Sequence, residues 1–328
     1  MKPLVKSLLA GLLCLALLGC GSLPELMHDG ADRFAQGKPR EDYAFSDSGA
    51  LLNELIDRYS GSYRLPTGAQ LDDESYDSAL EKLDPETEKN GIPQVGSWDD
   101  LLAVFHKVYR ETGDYLAIDL VDGYTVDFSQ ALQQVYNTLQ REDPIYVCCV
   151  AQWSYGSRGN RYVFDLDYTI EETELRRMKD QTEALVDAAV AGLDTAGKSD
   201  YALVCAVNEY LCEAAYYPEE PYAPETHTAY GTLANGVAVC EGYACAAKLL
   251  LNKLGILCDI QVGVCHDGGG HAWNLVQLDG QWYQMDVTWN DGGRSRTEYL
   301  LVSDAFMAKS RSWDASQYPA CPEAYIPQ

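Results

Sequence analysis

The sequence predicts an α+β fold, and three observations carry that prediction. In "GVAVCEGYACAAKLLLNKLG", a helix opens at Cys240, with Tyr243, Ala247, Leu250 and Leu254 at helical spacing and Gly255 as its stop. Behind it "ILCDIQVGVC" alternates, so that Ile256, Cys258, Ile260, Val262 and Val264 share one face of a strand. Then Asp279-Gly280 separates two apolar alternating runs, a strong signal for a two-residue hairpin. A helix followed by antiparallel strands is the expected core, preceded by a smaller module of mixed helices and strands.

The first twenty residues, "MKPLVKSLLAGLLCLALLGC", differ from the rest. Lys2 and Lys6 make a positive start, and the apolar run from Leu8 to Leu18 is shorter than the roughly 20 residues a bilayer requires. The segment has the form of a secretory signal. Its end, "LLGC", resembles a bacterial lipoprotein box, which implies a lipidated Cys20 as the mature N-terminus. The expected location is extracytoplasmic, lipid-anchored at the cell membrane. Residues 21–47 are polar and broken by Gly and Pro, and read as a tether.

The N-terminal module is expected over 48–195. "SGALLNELIDRYS" has helical spacing, whereas residues 61–96 show no strong pattern. Ser97 reads as the cap of a helix, with Asp100 three residues on and Gly113 as its stop. "DYLAIDLV" reads as a strand, and "SQALQQVYNTLQRED" as a helix closed by Pro144. "IYVCCVAQW" and "RYVFDLDYTI" read as two strands around a Gly-containing turn. A long helix follows from about Glu171 to Gly192. His106, alone on an amphipathic helix, reads as structural.

The second domain is expected over 196–328. It opens with a helix that puts Val204, Asn208, Leu211 and Ala215 on one stripe. The chain has 328 residues, 47% of them hydrophobic, enough to fill a sizeable core. Lys plus Arg is 24 against 50 Asp plus Glu, a formal charge of −26. Such a surface repels phosphate backbones, which argues against nucleic acid as a partner.

Eleven cysteines include Cys14 and Cys20 of the signal, which leaves an odd nine. At least one should be a free thiol. Cys205 and Cys212 are about 10 Å apart along a helix, too far to bridge each other. No CxxC pair occurs, so the common zinc spacing is missing, and no metal or cofactor is expected.

Cys240 stands apart because it opens a helix. A helix N-terminus carries partial positive charge and free N–H groups. Both favour a thiolate, and the same N–H groups can hold an oxyanion. Cys245 lies more than a turn inside the helix, and Cys258 points with the aliphatic set of its strand. With the hairpin turn at Asp279-Gly280, Leu278 faces Gln281. Continued along the ladder, His271 faces Thr288 and Trp273 faces Asp286. His271 and Asp286 are then diagonal neighbours on one face, roughly 7–8 Å apart at the backbone and within side-chain reach. A thiol at a helix start and an imidazole held by a carboxylate are the two halves of a nucleophilic triad.

The blocks "AYGTLANGVAVCEGYACAAKLLLNKLGI", "GHAWNLV" and "WYQMDVTWND" resemble those of the transglutaminase-like superfamily, over about residues 198–305. The resemblance implies a papain-like α+β core with the cysteine helix packed on an antiparallel sheet. It implies Cys240 as nucleophile, His271 as general base and Asp286 as the group orienting His271. For the second oxyanion donor, beside the Cys240 N–H, Tyr230 and Asn235 are weak candidates. Neither the calcium sites of the animal enzymes nor the paired CxxC zinc sites of the peptide glycanases have a counterpart. The implied activity is cleavage of a peptide or amide bond in a peptide or protein substrate. Amine transfer that crosslinks proteins, and a non-catalytic surface binding module, are the alternatives.

Overall fold

The computed structural model describes residues 67–83, 91–218 and 223–327. Cys20 with its signal segment, the tether and the helix expected at 48–60 lie outside the described residues. The described elements form two sheets, each with its own buried core.

The first sheet joins β1 (Thr67–Gln70), β2 (Gln94–Val95), β3 (Tyr115–Leu120), β4 (Val150–Arg158) and β5 (Arg161–Tyr168) in the order β1-β4-β5-β3-β2. Helices α2 (Trp98–Glu111) and α3 (Phe128–Glu142) cover one face. Leu101, Phe105, Val135 and Leu139 pack there against Ile118, Trp153, Phe164 and Leu166. Helix α1 (Asp73–Glu81) covers the other face, setting Tyr76 and Ala79 against Ala117 and Val163.

Three local expectations needed correction. Residues 61–96, which showed no pattern, hold β1, α1 and β2. The two buried residues of α1, Tyr76 and Ala79, are too narrow a stripe to read as amphipathic. The strand expected from Ile145 begins only at Val150, because residues 144–146 turn at the end of α3 and Cys149 takes a left-handed φ of 61°. Val147 and Cys148 are apolar because that turn is buried. In α2, Ser97 Oγ accepts the Asp100 N–H as expected, but the left-handed residue at the end is Thr112 (φ 53°), not Gly113.

Helix α4 (Glu172–Gly192) leaves the first module and ends in the second core, where Val186 and Ala189 are buried. There follow α5 (Asp200–Ala214), α6 (Cys240–Lys253), β6 (Cys258–Cys265), β7 (Gly270–Leu278) and β8 (Gln281–Met285). The chain then forms α7 (Val287–Asp291), α8 (Asp304–Met307) and β9 (Arg311–Ser312). The second sheet has the order β8-β7-β6-β9 and is antiparallel throughout.

Helix α6 is buried on nearly all sides, so its sequence is apolar almost all round. Ala244 and Ala247 let it settle closely on Ile260, Ala272 and Val276 of the sheet. Asn274 of β7 donates to the Ala244 carbonyl at 2.9 Å, which fixes helix and strand in register. On the opposite face Trp273, Tyr299, Val302 and Met307 make a small aromatic core. The α+β fold of the helix that begins at Cys240 packed on an antiparallel sheet is thus the architecture observed.

Candidate active site

Cys240 is the first residue of α6. The residue before it, Val239, is extended and gives the helix no side-chain cap. A cap here would occupy N–H groups of the first turn, and Val has nothing to offer them. Thr226 reaches the same turn through its carbonyl, which accepts the Val239 N–H at 3.1 Å. Gly242 makes that approach feasible: a Cβ on it would sit 2.4 Å from the Thr226 oxygen.

The hairpin forms with the expected register, Leu278 opposite Gln281 and Asn274 opposite Met285. Asp279 (φ 51°) and Gly280 (φ 75°) are both left-handed, as the tight turn requires. The ladder stops at Met285, so the expected pairings of His271 with Thr288 and of Trp273 with Asp286 do not form. The Asp286 N–H bonds the Tyr299 carbonyl instead, and Asp286 becomes the cap of α7. Its Oδ1 accepts the Trp289 N–H at 3.1 Å. The other oxygen, Oδ2, lies 2.7 Å from His271 Nε2. His271 and Asp286 therefore meet, but through a helix cap and not across a strand pair.

Asp286 Oδ2 also accepts from Arg311 Nη1, a residue that sequence reasoning passed over. Arg311 lies in the two-residue β9 and is fully buried at 0% exposure, as is Asp286. Its guanidinium sits over Trp289 at 4.0 Å and over Trp273 at 5.1 Å. Both indoles flank His271, Trp273 stacked at 5.7 Å and Trp289 tilted at 5.8 Å. Trp273 is itself held, its Nε1 donating to Gln284, whose amide in turn donates to Asp304 at 2.7 Å. Only the aromatic flanks were visible in the sequence; a lone arginine downstream carries no pattern.

Burial works against a charged imidazole, since His271 is only 6% exposed. The Asp286 carboxylate and the hydrogen bond to it outweigh that penalty, and the Cys240 side chain adds to them. His271 is raised to about 9. For Asp286, burial alone would raise the carboxyl, yet His271 and Arg311 lower it to about 2. Nε2 of His271 faces Asp286, and the Cys240 side chain is near enough to His271 to help raise it. Two further ties hold the parts together. Asn274 joins α6 to the strand that carries His271, and Tyr243 Oη donates to Asp291 Oδ2 at 2.7 Å, joining α6 to the helix capped by Asp286.

The other cysteines sit in different surroundings. Burial pushes the Cys245, Cys258 and Cys265 thiols well up, and Cys212 to about 12. All nine cysteines of the described residues are free. The Tyr230 hydroxyl accepts from Arg177 at 2.9 Å, and Asn235 is exposed at the end of a π turn, so neither is shown facing Cys240. Among the described residues, no three His, Cys, Asp or Glu side chains are grouped to hold a metal ion. A thiol at an uncapped helix start, beside an imidazolium fixed by a buried carboxylate, can attack a carbonyl and pass a proton to its leaving group.

A search of curated protein sequences gives no match. Among solved structures, a TGase crystal structure aligns at TM-score 0.30 and 15% identity, covering 73% of this chain and 77% of that one. A protein from Cytophaga hutchinsonii provisionally described as a cysteine protease aligns at TM-score 0.29 and 15% identity, over 42% of this chain and 61% of its own. One from Parabacteroides distasonis, provisionally described as a protease, aligns at 0.25 and 11%, over 53% and 43%. The chain thus spans less than two thirds of the latter two proteins. Residues 187–287, which hold Cys240, His271 and Asp286, match the model of the transglutaminase-like superfamily.

Proposed function

We propose that the protein is a cysteine-dependent enzyme that cleaves a peptide or amide bond through Cys240, His271 and Asp286. The observation that carries this reading is the meeting of a helix-start thiol with a buried imidazole, raised to about 9 by its carboxylate partner. At neutral pH His271 then holds a proton it can give. The Cys240 sulfur attacks the substrate carbonyl carbon and forms a C–S bond. The carbonyl oxygen takes the negative charge and is held by the Cys240 N–H and the first turn of α6. The tetrahedral adduct collapses, the C–N bond breaks, and the leaving nitrogen takes the proton from His271. His271, now neutral, removes a proton from water. The hydroxide attacks the thioester, releasing the acid and returning the sulfur and the imidazolium to their starting state. Asp286 keeps Nε2 engaged throughout, so that Nδ1 stays turned to the sulfur.

An amine in place of water would turn the same intermediate into a crosslink. Water needs no binding surface of its own, so hydrolysis asks least of the site. On this reading Cys20 is lipidated and the domain works on peptides or proteins outside the cytoplasm. The test is mass spectrometry of a peptide mixture treated with the purified protein, with and without added amine. Shortened peptides are expected. A mass gain of the amine less ammonia would replace hydrolysis by transfer, and an unchanged mixture would leave a binding module.

A further inference from the structure

We propose that the N-terminal module positions the nucleophile, and that Gln140 of α3 is the positioning residue. This rests on the reading of Cys240 as nucleophile. The residue next to Cys240 is Glu241, whose carboxylate is turned inward and only 6% exposed. A buried carboxylate must be held by donors. It has one from each side. Gln140 Nε2 donates to Oε1, across 101 residues of sequence. His227 Nδ1 lies 2.9 Å from Oε2. The same Gln140 amide donates to Tyr136 Oη at 3.4 Å, so both of its N–H groups are engaged and its orientation is set within α3.

Helix α6 lacks a side-chain cap, so its first turn is held by other means. Thr226 binds the backbone at Val239, and Gly242 leaves room for it. The Tyr243 hydroxyl ties the turn to Asp291, and the Glu241 side chain is a further handle, which the first module grips. A displacement of about 1 Å at a reacting group can slow a reaction by about 10²-fold, so a grip one residue from the sulfur bears on the rate. The next residue of α3 supplies a control. Arg141 pairs with Asp259 of β6, which also joins the module to the domain but grips the sheet and not a residue of the first turn of α6.

The test uses the full chain and iodoacetamide as the probe, reading the alkylation rate of Cys240 by peptide mapping, with circular dichroism and thermal melts as controls. Gln140→Met keeps the length and removes the donor; Gln140→Asn keeps the amide and shortens its reach. Each is expected to slow alkylation of Cys240 about tenfold in a folded protein, and Arg141→Ala to stay within about twofold of the wild type. Rates within twofold of wild type in both Gln140 variants overturn the proposal. An equal loss in Arg141→Ala overturns it too, since that marks general docking. Failure of both Gln140 variants to fold makes the residue structural and overturns it as well. A wild-type protein in which another cysteine reacts first removes the reading of Cys240, and this proposal with it. A reactive Cys240 indifferent to Gln140 removes the proposal alone.

Discussion

Two histidines of this chain meet the same pair of partners. On the first module, His106 Nε2 lies 2.8 Å from Asp143 Oδ2 and Arg110 Nη1 lies 2.7 Å from the same oxygen. Arg110 stacks over Tyr146 at 3.8 Å. In the transglutaminase-like domain, His271 Nε2 lies 2.7 Å from Asp286 Oδ2, Arg311 binds that oxygen, and Arg311 stacks over Trp289 at 4.0 Å. The contacts match atom for atom. The surroundings do not. The side chains of His106 and Arg110 are 34% and 46% exposed, against 3% and 0% for His271 and Arg311. Water screens the first trio, while the second interacts through a low dielectric. The second also faces a thiol at a helix start. Residue types and distances alone do not tell the two trios apart; desolvation and a neighbouring thiol do.

The comparison breaks most sharply under removal of the histidines. His271→Ala should abolish turnover of the peptides found to be cleaved, a loss of at least about 10³-fold, with the circular dichroism spectrum unchanged. His106→Ala should leave the rate within about twofold. Steady-state rates on both variants check this, and equal losses would erase the distinction.

Replacing the carboxylates sharpens it further. Asp286→Asn should slow turnover by about 10²- to 10⁴-fold, the upper figure being that of a serine triad. Asp143→Asn should do nothing measurable. If Asp286 acts through His271, the loss in the double variant should scarcely exceed that of His271→Ala alone. Additive losses in that cycle would instead mean that Asp286 serves the fold or the substrate.

The arginines should differ in stability. Arg311→Met leaves the buried Asp286 charge with one partner fewer and should cost about 3–5 kcal/mol. Arg110→Met breaks an exposed pair and should cost at most about 1 kcal/mol. Urea unfolding of the two variants measures the gap. A near-neutral Arg311→Met would mean that His271 and the Trp289 N–H suffice to hold the carboxylate.

The smallest expected effect is a pH dependence. His271 is raised from 6.5 to about 9, so the stability its charged form contributes is complete below pH 6.5 and is lost as pH rises through 9. Asp286 is lowered to about 2, so its contribution is present above pH 3.8 and lost as pH falls through 2. The melting-temperature advantage of the wild type over Asp286→Asn should therefore shrink between pH 6.5 and 10. A constant gap across that range would contradict the coupling of the two side chains.

Much of the domain was legible because its signals are local. The helix beginning at Cys240, the strand at Cys258–Cys265 and the Asp279-Gly280 hairpin each depend on residues within one element or one turn. Asp286 was found by extending a ladder that stops one residue short of it. The pair was right and its geometry was not, because the capping demand of α7 and the Tyr299 carbonyl take the chain out of the sheet. In the first module, the reading missed α1, whose buried stripe is two residues wide, and placed β4 too early, because a buried turn is as apolar as a strand.

By itself the sequence determined the α+β class, the order of thiol, imidazole and carboxylate, and the elements on which they stand. Periodicity and turn chemistry act over a few residues, and a single chain displays them directly. Only the tertiary structure decided which of two histidine–aspartate–arginine trios is buried, that Arg311 shares Asp286 with His271, and that Gln140 reaches Glu241. These contacts join residues 25 and 101 positions apart. Their strength comes from exclusion of water, a property of the packed molecule that no local pattern of residues encodes.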